Sequence, residues 1–293
     1  IPTVGLTTDS GTLNDDVITN DAALSFSEAA SNVNRTYSID GAAATTEYSA
    51  PTVDGEYTVT VTDTDTAGNV KTASTTFTLD TTLAIPTVGL TTDSGTLNDD
   101  VITNDAALSF SEAASDVNRT YSIDGAAATT EYTAPTVDGE YTVTVTDTDI
   151  AGNVKTASTT FTLDTTVAMP SITLDNDSGA SASDTITNDE ALTFSAVAAD
   201  VTRVYSIDGA AATKEYSAPT VDGEYTVTVT DTDIAGNVKT ASTTFTLDTT
   251  LAIPTVGLTT DSGTLNDDVI TNDAALSFSE AASDVNRTYS IDG

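Results

Sequence analysis

The chain contains 293 residues, which on length alone is enough for two or three ordinary domains. It carries 45 acidic and 8 basic residues, for a formal charge of −37, and it has neither cysteine nor histidine. This composition excludes disulfide scaffolds, thiol nucleophiles, zinc sites of the usual kind and histidine acid–base chemistry. A field of this sign repels nucleic acid and anionic lipid and attracts cations, so we expect no nucleic-acid partner.

An internal repeat organises the whole sequence. The motif IPTVGLTTDSGTLNDDVITNDAALSFSEAAS starts at Ile1, Ile85 and Ile253, and a diverged copy starts at Met169, so the spacing is 84 residues each time. This period is too long for the usual solenoid units and fits one small domain per copy. The predicted domains are 1–84, 85–168 and 169–252, followed by an incomplete repeat at 253–293. A frame that starts at Ala42 would instead give 42–125, 126–209 and 210–293; we prefer the first because LDTTLAIP is typical of a linker.

The sequence also bears on export and membranes. No apolar run approaches the roughly 20 residues of a membrane span, so no membrane insertion is expected. No signal peptide opens the chain, and the sequence begins and ends within the repeating pattern, so we expect it to be a piece of a longer protein. The lack of cysteine suits a protein that passes through a secretion channel unfolded.

Within each copy, apolar residues alternate with polar ones, which predicts β-strands. In chain order the first copy offers the strands PTVGLTT, ALSFS, RTYSID, TEYSA, EYTVTVTDTD and KTASTTFTLD, separated by turn signals such as DSG, DG and AGN. About seven short strands per copy are typical of a two-sheet, immunoglobulin-like sandwich. The predicted fold class is therefore all-β, with tandem immunoglobulin-like β-sandwich domains arranged end to end as a rod.

The core of the first copy follows from the same alternation. Its predicted members are Val4, Leu6, Ile18, Leu24, Phe26, Tyr37, Ile39, Tyr57, Val59, Val61, Phe77 and Leu79. Tyr57 follows a DGE turn, which is the placement of a tyrosine corner, whose phenol binds the preceding turn.

Acidic turns are predicted to meet where one copy follows another. In a seven-stranded sandwich the chain enters at one end and leaves at the other, which places DSGTLNDD and the departing LDTT opposite the DTDTAGN hairpin turn. Carboxylates at about 5 Å, with an effective dielectric constant of about 20, repel by roughly 3 kcal/mol per pair. One Arg and one or two Lys per full copy do not neutralise such a cluster, whereas Ca²⁺ binds carboxylate, amide and carbonyl oxygens. Stacking would bring together Asp9, Asp15, Asp16 and Asp80 of one copy and Asp147, Asp149 and Asn153 of the next.

The motifs DSGTLNDDVITND, DGEYTVTVTDTDTAGN and FTLDTT, at this spacing, resemble the bacterial immunoglobulin-like extender repeats of giant adhesins. These are type I-secreted, RTX-class, biofilm-associated surface proteins, and the resemblance covers every copy. It implies a stalk displayed at the bacterial cell surface, with Ca²⁺ at the junctions and neighbouring repeats as the immediate partners. A host or biofilm ligand would then be bound by other parts of the parent protein. The third copy has Ser183 in the place of Asp15, so its site is expected to be weaker or built differently.

The candidate metal ligands lie in four recurring positions. They are Asp9, Asp93, Asp177 and Asp261 of DSG; Asp15, Asp16, Asp99, Asp100, Asp184, Asp267 and Asp268 of the turn that follows; Asp63, Asp65, Asn69, Asp147, Asp149, Asn153, Asp231, Asp233 and Asn237 of the hairpin; and Asp80, Asp164 and Asp248 of LDTT. Plain turn chemistry is the alternative, because Asp, Asn and Gly are favoured in turns for backbone reasons alone. The hairpin is not an EF-hand, since Ala67 and Ser74 occupy its fifth and twelfth positions.

Other functions fit the sequence less well. DSG matches the aspartic-protease tripeptide, but two such aspartates must share a proton at close range. Glu47 with Glu56, or Asp54 with Glu56, could be imagined as a glycosidase pair, yet these positions are typical of solvated charges. No enzyme is expected, because no nucleophile, base and orienting group are assembled. The alternative to a structural extender is a module that binds glycan, protein or ice through its loops or its threonine-rich faces.

Overall fold

Twenty short β-strands provide the regular structure of the computed structural model, which describes residues 1–292, and no helix occurs in that range. The all-β prediction is therefore confirmed. The described residues contain no helix long and apolar enough to cross a membrane. Gly293, the last residue of the predicted incomplete repeat, lies outside the described residues.

The described chain forms two compact units. The first unit comprises Ile1–Met169, Val197–Arg203 and Thr230–Thr240, and the second comprises Pro170–Ala196, Val204–Val229 and the stretch from Ala241 onward.

In the first unit, the first copy folds into two small sheets. Its strands are β1 (Val4–Leu6), β2 (Ile18–Thr19), β3 (Leu24–Phe26), β4 (Val33–Ile39), β5 (Gly55–Asp65) and β6 (Val70–Leu79). One sheet has the order β2-β6-β5-β4 and the other pairs β1 with β3. The long hairpin of β5 and β6 pairs Tyr57 with Phe77, β4 lies antiparallel to β5, and β2 lies parallel to β6.

The second copy repeats this arrangement in the same unit. Its strands are β7 (Val88–Leu90), β8 (Ile102–Thr103), β9 (Leu108–Phe110), β10 (Val117–Ile123), β11 (Gly139–Asp149) and β12 (Val154–Leu163). The sheet orders are β8-β12-β11-β10 and β7-β9, so the register of the first copy is preserved.

The second unit holds most of the third copy and the stretch after it. The third copy contains β13 (Ile172–Leu174), β14 (Ile186–Thr187), β15 (Leu192–Phe194), β16 (Val201–Ile207), β17 (Gly223–Asp233) and β18 (Val238–Leu247). Its sheets again have the orders β14-β18-β17-β16 and β13-β15. The final stretch forms only β19 (Val256–Leu258) and β20 (Leu276–Phe278), which pair with each other.

Each complete copy has a core of its own between the two sheets. In the first copy, Val59, Phe77 and Leu79 of the long hairpin are buried and pack against Leu6 and Leu24 of the small sheet. All predicted core residues of this copy are buried or partly buried, so the core prediction is confirmed. The tyrosine corner is confirmed as well, because the Tyr57 hydroxyl donates to the Val53 carbonyl at 2.7 Å.

The prediction of a strand at TEYSA is wrong. Thr45 makes a single bridge to Tyr37, and the chain then leaves the sheet. Small residues surround this segment and Pro51 follows it, so Tyr48 is its one large apolar anchor, and Pro51 has no N–H to extend a ladder. Each complete copy therefore has six strands rather than about seven.

The hydrogen bonding of one tyrosine hydroxyl distinguishes the third copy from the first two. The hydroxyls of Tyr48 and Tyr132 donate to the carbonyls of Ala22 and Ala106, each at 2.8 Å. The Tyr216 hydroxyl is buried without a hydrogen-bond partner, and Glu190 takes the place of that alanine. A buried hydroxyl without a partner costs free energy.

Replacing each tyrosine by phenylalanine should therefore have opposite results. We expect Tyr132→Phe to lower the free energy of unfolding of its copy by about 1 kcal/mol, because a hydrogen bond is lost. Tyr216→Phe should leave the third copy unchanged or stabilise it. Amide hydrogen exchange followed by NMR, read separately in β11 and β17, measures both effects. Equal losses in the two copies would contradict the assignment.

Candidate functional site at the repeat junctions

The tip of the second copy's long hairpin, residues 150–153, docks on the first copy. It contacts the DSGTLNDD turn, residues 9–16, which we call the exit loop because it lies at the end where the chain leaves the domain. The Ser10 hydroxyl donates to the Ala151 carbonyl at 2.5 Å, and the Asn153 side-chain amide donates to the Asp80 carbonyl at 2.9 Å. The exit loop and the hairpin turn do meet, as the end-to-end stacking predicted. The same bonds recur between the second and third copies, from Ser94 to the Ala235 carbonyl at 2.5 Å and from Asn237 to the Asp164 carbonyl at 2.8 Å.

Two glycines allow this close approach. Gly11 has φ +101°, and a Cβ built on it would lie 1.8 Å from the Ile150 carbonyl oxygen. A Cβ on Gly152 would lie 2.8 Å from the Gly11 nitrogen. The junction is therefore a backbone-to-backbone contact that no side chain at either position would permit.

Docking buries the hairpin tip. Ala151 and Ala235 are 0% exposed, whereas the equivalent Ala67 of the first copy, which has no preceding repeat in this sequence, is exposed. The predicted ligands Asp147 and Asp149 are 4% and 3% exposed, while their first-copy equivalents Asp63 and Asp65 are more exposed.

Both carboxylates of the docked tip already have partners. Asp149 accepts hydrogen bonds from the backbone and side-chain amides of Asn153, at 2.8 Å and 2.9 Å. Asp147 accepts two from the guanidinium of Arg119, both at 2.7 Å. In the undocked first copy, the Asn69 side chain and then its backbone lower the pKa of Asp65.

The single arginine in each copy has a role that was not predicted from the sequence. Arg35, Arg119 and Arg203 each form a bidentate ion pair with the first aspartate of DTD, namely Asp63, Asp147 and Asp231. The antiparallel register places Arg35 directly opposite Asp63. Pairing RTYSID with TVTVTD by that register would have revealed this neutralisation.

The DSG aspartate structures its own loop and leaves one oxygen unused. The Val17 N–H donates to Asp9 Oδ2 at 3.2 Å, and the Ile18 N–H donates to Asp16 Oδ1 at 3.1 Å. Asp9 Oδ1 is buried without a partner, and so are the Oδ1 atoms of Asp93, Asp177 and Asp261. In the turn that follows the DSG motif, the side chains of four predicted ligands are exposed, namely Asp15, Asp99, Asp184 and Asp267.

A second missed feature holds the departing chain. The Asp54 carboxylate accepts hydrogen bonds from the Thr81 backbone and hydroxyl, at 2.9 Å and 2.7 Å, and from the Thr82 hydroxyl at 2.9 Å. Asp138 and Asp222 bind Thr165 and Thr249 in the same way. These bonds, led by the one from the threonine hydroxyl, lower the pKa of all three aspartates. Each DTT exit is therefore fixed to its own domain.

An acidic cleft of about 210 Å³ lies at the first junction. The predicted residues Asp80, Asp147 and Asp149 line it together with Glu112 and Asp116, which the sequence analysis missed, and with Arg119. Five carboxylates and one guanidinium leave a formal charge of about −4. In the second unit, the predicted residue Asp248 lines a similar cleft with Glu280, Asp284 and Arg287.

The five carboxylates that line the first cleft are ligands of the kind a hard cation prefers, and Arg119 lines the same cleft. The unused, buried Asp9 Oδ1 atom is an additional anionic oxygen of the exit loop. Across residues 1–292, however, no three acidic side chains lie close enough together to form a ready metal cage.

Comparison with known proteins identifies the domain type. A family model described as "Bacterial Ig-like domain" matches residues 1–81, 82–165 and 166–249. No curated protein matches the chain.

Solved structures with a significant match include repeats of other proteins. The tetra-tandem repeat in the extending region of a large adhesion protein is 22% identical, covers 89% of this chain and 77% of that chain, and has a TM-score of 0.29. A Ca²⁺-stabilized adhesin that helps an Antarctic bacterium reach out and bind ice is 22% identical, covers 87% and 75%, and has a TM-score of 0.31. The fibronectin(III)-like modules of Clostridium thermocellum CbhA are 13% identical, cover 56% and 94%, and have a TM-score of 0.33.

The family match extends over most of the sequence in three successive segments, each containing the two-sheet arrangement described above. The chain therefore belongs to the bacterial Ig-like domain family.

Proposed function

We propose that this chain is a structural extender of a large bacterial cell-surface adhesin, in which docked junctions stiffened by Ca²⁺ hold successive domains as a rod. The observation that supports it best is the hairpin tip seated on the preceding exit loop, with the same hydrogen bonds at two successive junctions. A contact repeated between successive domains suits a spacer, whose task is to set a length and a direction.

The junction limits bending through three short connections. The hairpin tip binds the exit loop, Asn153 binds the last strand's end at Asp80, and Asp54 fixes Thr81 and Thr82 of the linker. Each of the two hydrogen bonds between the domains contributes about 1 kcal/mol. Together they order the linker without a large apolar interface.

Calcium is the proposed second element of stiffness. At the first junction, Asp80, Glu112, Asp116 and Asp149 line the cleft and would supply the oxygens, whereas Asp9 does not line it. Bound Ca²⁺ would offset the repulsion among these carboxylates, and Arg119 would continue to neutralise Asp147. The predicted ligands in the other copies are proposed to act at their own junctions.

The second junction offers a weaker donor set. Ala196 takes the place of Glu112 in the third copy, while Asp200 corresponds to Asp116. We expect calcium to bind there with lower affinity than at the first junction.

The wider setting is part of the same proposal. An extracellular location supplies enough calcium for sites with dissociation constants of about 10⁻⁴–10⁻³ M. Type I secretion in an RTX-class, biofilm-associated protein agrees with a cysteine-free, acidic chain. The ligand of the whole adhesin would be bound by other parts of the parent protein.

Docking can be tested without metal through one glycine. In Gly11→Ala the new methyl group would meet the Ile150 carbonyl, so the tip of the second copy should undock and residues 150–153 should lose amide protection roughly tenfold, the loss of one hydrogen bond. Gly179→Ala is the matched control, because Gly179 has φ +100° but no atom within 4 Å. Equal exchange at residues 150–153 in both variants would show that the loop contact does not hold the junction.

Calcium should stiffen and stabilise the chain. We expect millimolar Ca²⁺, compared with EDTA, to narrow the distribution of distances between the first two copies in small-angle scattering. At ten times its dissociation constant, each site would add about 1.4 kcal/mol to the free energy of unfolding.

The Asp116→Asn variant should weaken calcium binding at the first junction, and Glu131→Gln, at an exposed position outside the cleft, is its control. Identical scattering profiles and melting temperatures in Ca²⁺ and in EDTA would remove calcium from the proposal. The docked hairpins would then have to stiffen the rod alone.

The hydrogen bonds from Thr165 to Asp138, which we call the exit clamp of the second copy, should break in acid. The Thr165 hydrogen bonds lower the pKa of Asp138 below its ordinary 3.8. The ionised Asp138 therefore stabilises the folded state fully above pH 3.8, and this stabilisation is lost as the pH falls through the lower pKa of the folded state. An NMR pH titration should show the Thr165 amide keeping its shift at pH 3.8 and losing it at lower pH. Asp138→Asn should weaken the clamp already at neutral pH, and Glu131→Gln should not. A Thr165 amide that titrates at or above pH 3.8 would contradict the clamp.

A further inference from the structure

The fourth strand of the first copy carries an Asn-x-Thr motif, and the second copy repeats it. Residues 34–36 and 118–120 both read Asn-Arg-Thr, which is the acceptor pattern for N-linked glycosylation. The pattern is short and threonine is abundant in this chain, so a match alone identifies no modification. The conformation and the surroundings of the motif in the folded domain carry the inference.

The strand separates the three side chains of the motif. Asn34 and Thr36 lie on the outer face of β4, whereas Arg35 points inward to the Asp63 carboxylate and the Ser27 carbonyl. The amide and the hydroxyl of the motif therefore share one side of the strand, and the large middle residue does not obstruct them. The same alternation holds in β10 of the second copy.

The two asparagine side chains are free. Asn34 and Asn118 are exposed, and neither side chain has a hydrogen-bond partner among residues 1–292. The side-chain amide of Asn153, by contrast, is used in the first junction. Asn118 also stays clear of that junction, because its neighbours Val117 and Arg119 line the cleft and Asn118 does not. A group attached to either asparagine would displace no contact of the fold.

The backbone of the motif is accessible to an enzyme. Strand β4 lies at the edge of the sheet β2-β6-β5-β4. The N–H and C=O of Tyr37 bind Thr45 on the outer side of this edge, so by alternation those of Arg35 also point away from β5. An enzyme that binds extended peptide can therefore pair with the motif as an added strand.

Space for a sugar lies beside the asparagine of the first copy. An open hollow of about 330 Å³ is lined by Asn34 and by several polar neighbours, including Asn32, Thr64 and Asp65. Amide and hydroxyl groups both donate and accept hydrogen bonds, as the hydroxyl groups of a sugar do. The hollow therefore offers a sugar polar contacts next to the attachment point.

We propose that Asn34 and Asn118 are N-glycosylated by a transferase that uses a sugar activated as a diphosphate. The asparagine Nδ2 atom forms a bond to the anomeric carbon of the sugar, and the bond from that carbon to the diphosphate oxygen breaks. The diphosphate leaves with the bonding electrons, and a base of the transferase takes the proton that the amide loses. The modification depends neither on the stalk function nor on calcium, because neither asparagine lines a junction cleft.

The third copy supplies controls within the same chain. Thr202 takes the place of the asparagine, and Val204 takes the place of the threonine. Another match, Asn-Asp-Ser, occurs at residues 176–178, but the Ser178 hydroxyl is engaged in its own loop, where it accepts the Asn188 N–H at 2.8 Å. We therefore expect no sugar on Asn176 or on residue 202.

Mass spectrometry of the chain recovered from the cells that produce it tests the proposal. Cleavage after glutamate gives peptides 29–47 and 113–131, which differ only in having Asn32 or Asp116 and are therefore separated by mass. Both should carry sugar on the asparagine of the motif, whereas peptides 141–190 and 191–215 should carry none. A series of masses that rises by one sugar at a time would identify nucleotide-activated donors. A single larger increment would identify an oligosaccharide transferred whole from a lipid diphosphate.

Variants of the full chain, produced in the same cells, test the motif itself. Thr120→Ala should remove the sugar from Asn118, and Thr120→Ser should retain it, while Asn34 serves as the reference in both chains. Thr202→Asn combined with Val204→Thr recreates the motif in the third copy and should add sugar to peptide 191–215.

Four outcomes would overturn the proposal. They are unmodified peptides 29–47 and 113–131, sugar attached to threonine hydroxyls instead of asparagine, unchanged sugar on Asn118 in the Thr120→Ala chain, and no sugar on the third copy of the double variant. The last outcome would show that the motif on this strand is not sufficient for the transferase.

Discussion

The long hairpin is the element on which the rest of each copy depends. Strands β5 and β6 span Gly55–Asp65 and Val70–Leu79, while the strands that face them across the core have three residues each. One face of the hairpin supplies the buried valines, phenylalanine and leucine, and its edges pair with β4 and β2. Its tip extends beyond the core and, in the second and third copies, reaches the preceding domain. Fold and junction are therefore produced by the same piece of chain.

Local hydrogen bonds stabilise several of the carboxylates that produce the formal charge of −37. The carboxylates of Asp9, Asp16, Asp54 and Asp149 accept backbone N–H groups of turns, exits or the tip. Such bonds favour the ionised form and fix the turn at the same time. The plain turn chemistry considered from the sequence thus explains part of the acidic pattern. At the first junction cleft, Glu112 and Asp116 add to the predicted aspartates, and Arg119 is the one cation among them.

The sequence predicted the features that follow from local pattern. Alternation identified the core around Val59 and Phe77, and the DGE turn identified the tyrosine corner, because both depend on neighbours within a few residues. The prediction of a strand at TEYSA was wrong because one bridge and one partly buried tyrosine do not hold a ladder. The Arg119–Asp147 pair and the Asp54 clamp join residues 28 and 27 positions apart, so they require the strand register or the path of the exit. Glu112 and Asp116 were missed because they lie in a loop that reaches the cleft only once β10 is placed.

The hairpins of the second and third copies have the same sequence from Gly139 to Thr166 and from Gly223 to Thr250, but the halves they cover differ. During synthesis, the half of each copy that precedes the long hairpin is exposed before its own hairpin has been made. During that interval the hairpin of a neighbouring copy can pair with this half equally well. Exchange of hairpins between adjacent domains is therefore the characteristic misfolding reaction of this chain. Because these two hairpins are identical, the diverged half that starts at Met169 cannot distinguish one from the other, and only the short connection to its own hairpin favours the correct pairing.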